Sequence, residues 1–276
     1  MKYINKVSII VPFFNASKTI KATLDSIFNQ TYQNYECIMI DDSSEDESYS
    51  IVKKSIIHDK RFKLLKQKKR GVVAARNLGI ENCTGRYITF LDSDDIWDPD
   101  FLMESLIIRE KRKDNIAMTH SSYFRFKLSK NKITSYLINP PTIISYENIL
   151  KKNFMPLLTV LIDRKIIKEL YFEDKRPEDY RLWIKLIYIE KYKSISIRKP
   201  LAYYRISDKQ RSKNKIFSLV RIYKLFQDIP NNNFLKLNIN VFNWIIYNSV
   251  QRIFIKKQFH KEELNYLNYL IFKNFN

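Results

Sequence analysis

Three carboxylates stand within four residues at Asp92-Ser93-Asp94-Asp95, directly after the apolar run Tyr87-Ile88-Thr89-Phe90-Leu91. The run reads as a strand buried on both faces. Such a strand does not end in like charges for stability, because neighbouring carboxylates repel and raise each other's pKa. A divalent cation resolves that conflict. Hard cations such as Mg²⁺ or Mn²⁺ take oxygen ligands, often one or two carboxylates plus the oxygens of a diphosphate. A second acidic pair, Asp41-Asp42, follows the apolar run Tyr35–Ile40. Either cluster alone could be a solvated turn; two at equivalent places point to one site for a metal and a phosphorylated ligand.

The elements that must position these acids alternate. Val7–Val11 is a short buried strand closed by Pro12, and Ser17–Gln30 carries Ile20, Leu24, Ile27 and Phe28 on one helix face. After the Tyr35–Ile40 strand, Ser44 and Glu47 form a capping-box pattern that predicts a helix to about Ile57. Phe62–Leu65 reads as a strand, Gly71–Asn82 as a helix, and Tyr87–Leu91 as the fourth strand. This order is the signature of a mostly parallel sheet with right-handed crossovers, which binds ligands at the carboxyl ends of its strands. Both acidic clusters lie at such ends. Beyond them the pattern predicts a helix over Asp100–Lys113, a strand over Ile116–Lys127, a short helix over Tyr146–Lys152 and a strand over Leu157–Asp163. Pro177 with Glu178 and Asp179 opens a helix whose apolar face is Leu182, Trp183, Leu186 and Ile187. Residues 215–276 are helical in pattern.

The chain has 276 residues, 45% of them hydrophobic, enough for one large domain with an appendage. The net charge of +20 is uneven. Residues 1–100 hold 15 Lys+Arg against 14 Asp+Glu, and the rest of the chain holds 34 against 15. That imbalance points to an anionic partner for the second part: nucleic acid, anionic lipid or a phosphorylated substrate. The two cysteines, Cys37 and Cys83, lack metal-ligand spacing and fit reduced, buried thiols. The N-terminus runs straight into a strand without a signal-peptide pattern, and no uncharged apolar run approaches the roughly 18 residues of a membrane span.

The stretches Val7-Ser-Ile-Ile-Val-Pro-Phe-Phe-Asn15, Ile40-Asp-Asp-Ser-Ser44, Ala74-Ala-Arg-Asn-Leu-Gly79, Phe90-Leu-Asp-Ser-Asp-Asp-Ile-Trp97 and Glu178-Asp-Tyr-Arg-Leu-Trp183 carry a resemblance. In this order they resemble the family 2 inverting glycosyltransferases of the GT-A fold, over roughly residues 5–212. The resemblance implies an α/β fold, a mostly parallel sheet flanked by helices, with a C-terminal helical extension. It implies a nucleotide-sugar donor, UDP-sugar first, a Mg²⁺ or Mn²⁺ ion, and transfer with inversion at the anomeric carbon. The implied domains are 1–214, catalytic, split into a nucleotide-binding half (1–100) and an acceptor-binding half (101–214), and a basic extension over 215–276.

Each motif then has an implied role. Pro12, Phe13 and Asn15 would line the nucleoside pocket. Asp42 matches the position that accepts from the uracil imide N–H, and Asp41 would shape the turn before it. Arg76 would meet the diphosphate, where a fork of donors suits paired oxygens. Asp92 and Ser93 would join the donor site, Asp94 would bind the metal, and Asp95 would hold sugar hydroxyls or a metal-bound water. Asp179 is the implied base. Inversion needs one carboxylate to take the acceptor proton as the hydroxyl attacks, and a helix N-terminus favours its ionised form.

The chain departs from the family where many members carry His after Tyr-Arg. Here the stretch is Tyr204-Arg205-Ile206-Ser207, and Arg205, Lys209 and Arg211 could cover the phosphates instead. In the extension, Phe242, Ile245, Ile246, Ser249, Val250, Ile253 and Phe254 trace one helical face beside Arg252, Lys256 and Lys257. That face could pack on the catalytic domain or lie in an anionic membrane surface. The implied acceptor is a growing surface glycan such as lipopolysaccharide, capsule or a lipid-linked oligosaccharide, and the implied place is the cytoplasm, peripheral on the inner face of the cell membrane. Two other classes fit less well. A nucleic-acid-binding module would interleave aromatics with a basic patch, which the distribution lacks. A nucleotidyltransferase would carry a Gly-rich basic loop after the first strand, where Phe13-Phe14-Asn15-Ala16-Ser17 stands.

Overall fold

The computed structural model describes residues 5–68, 70–112, 116–129, 132–206 and 215–254, together with Tyr266 and Tyr269. In chain order the elements are β1 (Val7–Phe13), α1 (Ile20–Phe28), β2 (Tyr35–Asp41), α2 (Ser48–Ile56), β3 (Phe62–Lys66), α3 (Val72–Glu81) and β4 (Tyr87–Phe90). Then follow β5 (Ile96–Trp97), α4 (Phe101–Glu110), β6 (Ile116–Ser129), β7 (Lys132–Ile138), β8 (Ile143–Ile144) and β9 (Val160–Asp163). The last are α5 (Glu178–Trp183), continued as a π-helical stretch over Ile184–Ile189, β10 (Lys193–Arg205), α6 (Lys215–Gln227) and α7 (Phe234–Phe254).

One mixed sheet runs β3-β2-β1-β4-β9-β6-β10-β5, with β7 on β6 and β8 on β10. Strands β3, β2, β1 and β4 are all parallel, as the βα alternation predicts. Past β4 the sheet turns mixed. β9 pairs antiparallel with β4 and β6, while β10 runs parallel to β6. β1 is buried at every position because both its faces are covered. Val7, Ile9, Val11 and Phe13 face the cluster under α1, α2 and α4; Ile10 faces the cluster under α3, α5 and α6. The register sets Phe13 opposite Asp41 and Ile10 opposite Phe90, and Leu91 extends β4 by donating to Ile10 O at 3.0 Å. The acidic strand ends therefore share one edge of the sheet.

Several local expectations change. The Ser44–Glu47 capping box does not form. Ser44 Oγ accepts from the Asn15 amide at 3.1 Å, so α2 begins four residues later, where Asp46 Oδ1 accepts from the Ser48 amide at 2.9 Å. The Tyr146–Lys152 helix shrinks to one 3₁₀ turn, Ile149–Lys151, and the 157–163 strand begins as another, Leu157–Thr159. Tyr204 and Arg205 do not open a loop; they end the 13-residue strand β10. Ser207, Lys209 and Arg211, and residues 255–265, lie outside the described residues. Both cysteines are buried free thiols.

The extension divides the two fates expected of it. On α7, Leu237 is buried, and Val241, Trp244 and Tyr247 pack on the core, while Phe242, Ile245 and Ile246 are exposed. α6 seats Ile222, Leu225 and Phe226 in that same core. No described helix is long and apolar enough to cross a membrane.

α3 lies close on β1 and β2 because Gly79 has no side chain: a Cβ there would come within 2.5 Å of Ile10 Cγ2 and 3.2 Å of Ile40 Cδ1. Gly79→Ala should lower stability despite the better helix propensity of alanine. Overpacking of a rigid core costs about 1–3 kcal/mol, against a propensity gain of about 1 kcal/mol. A lower denaturation midpoint with unchanged slope is the expected result; an unchanged or higher midpoint would refute close packing at this contact.

Candidate active site

The acids at the sheet edge are each restrained differently. Asp42 is buried. Its carboxylate accepts from Gln67 Nε2 at 2.8 Å and from the Arg70 amide at 2.9 Å, and its Oδ2 accepts from the Gly71 amide at 3.1 Å. The approach requires the left-handed backbone of Gly71, at φ +86°. Asp42 thus ties the loop before α3 to the end of β2. Asp41 is fully buried. One of its oxygens accepts from the Ser44 amide at 2.9 Å, while Oδ2 has no hydrogen-bond partner and Lys66 Nζ lies 3.9 Å away. Asn15 is exposed, with φ +46°, and its Oδ1 accepts from the Glu45 amide at 2.8 Å. Pro12 is buried, and the Phe13 side chain belongs to the core, where it meets the site only through its backbone. Phe14 is the phenylalanine exposed at this edge.

The Asp92–Asp95 turn is pinned from both sides. Thr23 Oγ1 of α1 donates to Asp95 O at 2.8 Å. From β10, the Arg205 amide donates to Asp95 Oδ1 at 2.8 Å, and Arg205 Nε donates to Asp94 O at 2.8 Å. Asp95 is buried, and burial holds its carboxyl far above the usual range, helped by Asp94 and Asp92. Burial also raises Asp94, to about 6, with repulsion from Asp92 adding and Arg205 opposing. Burial lowers the Arg205 guanidinium against the pull of Asp94 and Asp95. Ser93 lies half-buried in the same turn.

Arg76 is the hub. It is nearly sealed, with 5% of its side chain exposed, and its Nη2 donates to Asp92 Oδ1 at 2.7 Å. Its Nη1 lies 3.6 Å from Glu178 Oε1, and its guanidinium sits 5.5 Å from the centre of the Phe172 ring. Burial alone would lower its pKa, but Asp92, Glu178 and Asp179 outweigh burial and hold it above the ordinary value. Arg76 is thus paired with protein carboxylates from two distant segments. Glu178 is the partner that sequence reasoning missed, because nothing local links α3 to α5. The neighbouring Asn77 explains how they meet. It donates from Nδ2 to Phe172 O and accepts from the Phe172 amide, both at 2.9 Å. This pair ties α3 to the segment that leads into α5.

Asp179 stands at the start of α5, half-buried. Asn153 Nδ2 donates to its Oδ2 at 2.9 Å, and the Tyr180 amide donates to Oδ1 at 2.7 Å. Burial raises its carboxyl to about 6, Glu178 adds to the rise and Arg76 opposes it. Beyond Arg205, the Arg125 guanidinium lies about midway between two rings, 5.5 Å from the centre of Tyr204 and 5.6 Å from that of Tyr136. Asp94 with Asp92 fits a hard cation that keeps coordination places for phosphate and water. Among the described residues no three acidic, His or Cys side chains converge into a protein-only cage.

A mixed α/β sheet whose β3-β2-β1-β4 part is parallel, with a carboxylate turn at its edge and a half-buried carboxylate at the start of α5, defines a group-transfer enzyme of the nucleotide-sugar transferase fold. The sequence profile of glycosyl transferase family 2 matches residues 8–170, and the chain belongs to that family. It is 33% identical over 228 residues to the Escherichia coli UDP-Glc:alpha-D-GlcNAc-diphosphoundecaprenol beta-1,3-glucosyltransferase WfgD, covering 82% of this chain and 87% of that one. TarS of S. aureus, residues 1–349 with UDP-GlcNAc, shares the fold at a TM-score of 0.66 and 16% identity, over 89% of this chain and 73% of that one. The mannosyltransferase PcManGT of Pyrobaculum calidifontis, in complex with GDP-Man and Mn2+, does so at 0.63 and 16%, over 91% and 75%.

Asn77→Ala should leave the buried Phe172 amide and carbonyl unpaired. The expected loss is about 2 kcal/mol or more of stability, together with slower glycosyl transfer as the α5 acids shift. Equilibrium denaturation and turnover measured on one preparation check both. Full turnover in the variant would show that the α3–Phe172 tie does not position the acids.

Proposed function

We propose that this enzyme moves a sugar from a UDP-sugar to a hydroxyl of a lipid-linked saccharide, with inversion, in the assembly of a surface polysaccharide. The observation that carries this reading is the run Asp92, Arg76, Glu178 and Asp179, centred on the buried Arg76, which joins the donor-side acids to the half-buried carboxylate at the start of α5. The likeness to a glucosyltransferase named for a UDP-Glc donor and a diphosphoundecaprenol-linked acceptor supports the donor and acceptor class. Pro12, Phe13 and Asn15 with Asp41 and Asp42 form the nucleoside end. Asp92, Ser93 and Asp95 form the sugar end, and Arg205 lies beside the diphosphate.

Asp179 acts as the base. The acceptor oxygen bonds to the anomeric carbon as the bond to the diphosphate breaks, the bonding pair leaves with UDP, and Asp179 takes the hydroxyl proton. Arg76 keeps Asp179 ionised near neutrality against the effect of burial. Asp94, with Asp92 beside it, would hold Mg²⁺ or Mn²⁺, which supplies charge stabilisation for the departing diphosphate. The Mn2+ of the mannosyltransferase complex supports a divalent ion here.

Asp179→Asn should lower turnover by about a hundredfold or more, as loss of a general base does, with UDP affinity unchanged. Because only the ionised carboxyl accepts a proton, wild-type turnover should fall as pH drops through about 6. The Asn variant should lose that step. A profile flat from pH 5 to 8, or equal losses of binding and turnover in the variant, would remove Asp179 from the role.

Asp94→Ala should abolish transfer with the fold intact. Calorimetry separates the metal from the reaction: Mn²⁺ should tighten UDP binding in the wild type and not in the variant. An equal response in both would overturn the assignment.

A further inference from the structure

α7 is apolar on two opposite sides. Leu237, Val241, Trp244 and Tyr247 hold it to the core. Roughly half a turn away, Leu235, Ile239, Phe242 and Ile246 recur at spacings of four, three and four, which puts them on one stripe. They are 68%, 49%, 62% and 46% exposed. A helix apolar on both sides lacks the polar outer face of an ordinary surface helix. At its start Phe234 is more exposed still, at 77%.

The charged residues that α6 and α7 carry have one sign. Lys236 and Arg252 are the only charged residues in α7, and α6 adds Lys215, Arg221 and Lys224. The one acid between residues 215 and 254 is Asp228, and it is engaged by Arg181 at 2.8 Å. A stripe of large apolar residues on a helix that carries the exposed Lys236, packed beside a helix that carries Arg221 and the exposed Lys224, is complementary to an anionic lipid surface. Two copies packed stripe to stripe would instead bring like charges together, without the opposite charges that set helix pairing.

We propose that the outward stripe of α7, Leu235, Ile239, Phe242 and Ile246, lies in the plane of an anionic bilayer and docks the catalytic domain there. The inference rests on the lipid-linked acceptor proposed above. The stripe enters the acyl boundary while Lys236, Arg221 and Lys224 meet lipid phosphates. α7 is anchored to the catalytic core by its opposite side, so docking sets the height of the active site above the membrane as well as the location of the enzyme.

The test uses the full-length enzyme with vesicles of phosphatidylcholine alone or mixed with phosphatidylglycerol. The wild type should co-sediment with the mixed vesicles at low salt, at least tenfold less with the neutral ones, and less at high salt as exposed charges are screened. The double variant Ile239→Ser/Phe242→Ser should lose at least tenfold in vesicle binding. Its melting temperature and its hydrolysis of donor without acceptor should match the wild type. If the chain is no glycosyltransferase, donor hydrolysis fails in both proteins while vesicle binding still reports on the stripe. Three results would overturn docking: no wild-type binding to anionic vesicles at low salt; binding equal in the variant; or a variant that melts lower or changes oligomeric state with binding intact, which would mean that protein covers the stripe.

Discussion

A guanidinium sealed from water sets the terms for the rest of this molecule. Arg76 sits between the Asp92 turn and the start of α5, and a buried cation is tolerated only with close carboxylates. Its partners come from segments far apart in the chain: Asp92 from the end of β4, and Glu178 from the start of α5. Removing either would strand charge in a low-dielectric place. The packing follows from this requirement. α3 must lie close enough to β1 to aim Arg76, which the missing Cβ of Gly79 permits, and the 172–178 segment must be held within reach, which Asn77 does through both backbone groups of Phe172. The Asp92 turn and the start of α5 are thereby coupled through one side chain.

The acids around that cation show three ways to keep carboxylates in a partly dry place. Asp42 is held by the amides of a glycine turn, which leaves its charge local and directional. Asp92 is neutralised by Arg76. Asp95 takes the Arg205 amide and is still pushed far toward its neutral form by burial and its neighbours. Asp94 and Asp179 are intermediate, each raised to about 6. Carboxyls poised near the working pH at the strand end and at the start of α5 suit chemistry in which a proton is accepted at one place while charge builds at the other.

Much of this was legible in the chain. Apolar runs that stop at Asp41 and Asp92 could only be buried strands ending at an edge, and the βα alternation put those ends together. What could not be read depended on distant partners or on broken patterns. The contact of Arg76 with Glu178 joins α3 to α5 across a long stretch of intervening chain, and no local signal announces it. β10 escaped because Arg198-Lys199-Pro200 interrupts its apolar pattern; the strand absorbs them with register shifts on either side of Pro200 and then resumes to deliver Arg205. The capping box failed because the Asn15 amide claimed Ser44 Oγ, a contact between segments 29 residues apart. On α7 the helical periodicity was plain, but it traced the outer stripe and gave no sign that the opposite side was the one seated in the core.

β3 closes one end of the sheet, and its outer flank offers peptide groups to any passing strand. Such an edge can seed aggregation unless it is short or charged. β3 is both: five residues long, with Lys63 and Lys66 exposed along it, while β5 at the far end spans only two residues. The two ends of the sheet thus offer little purchase for edge-to-edge pairing between copies.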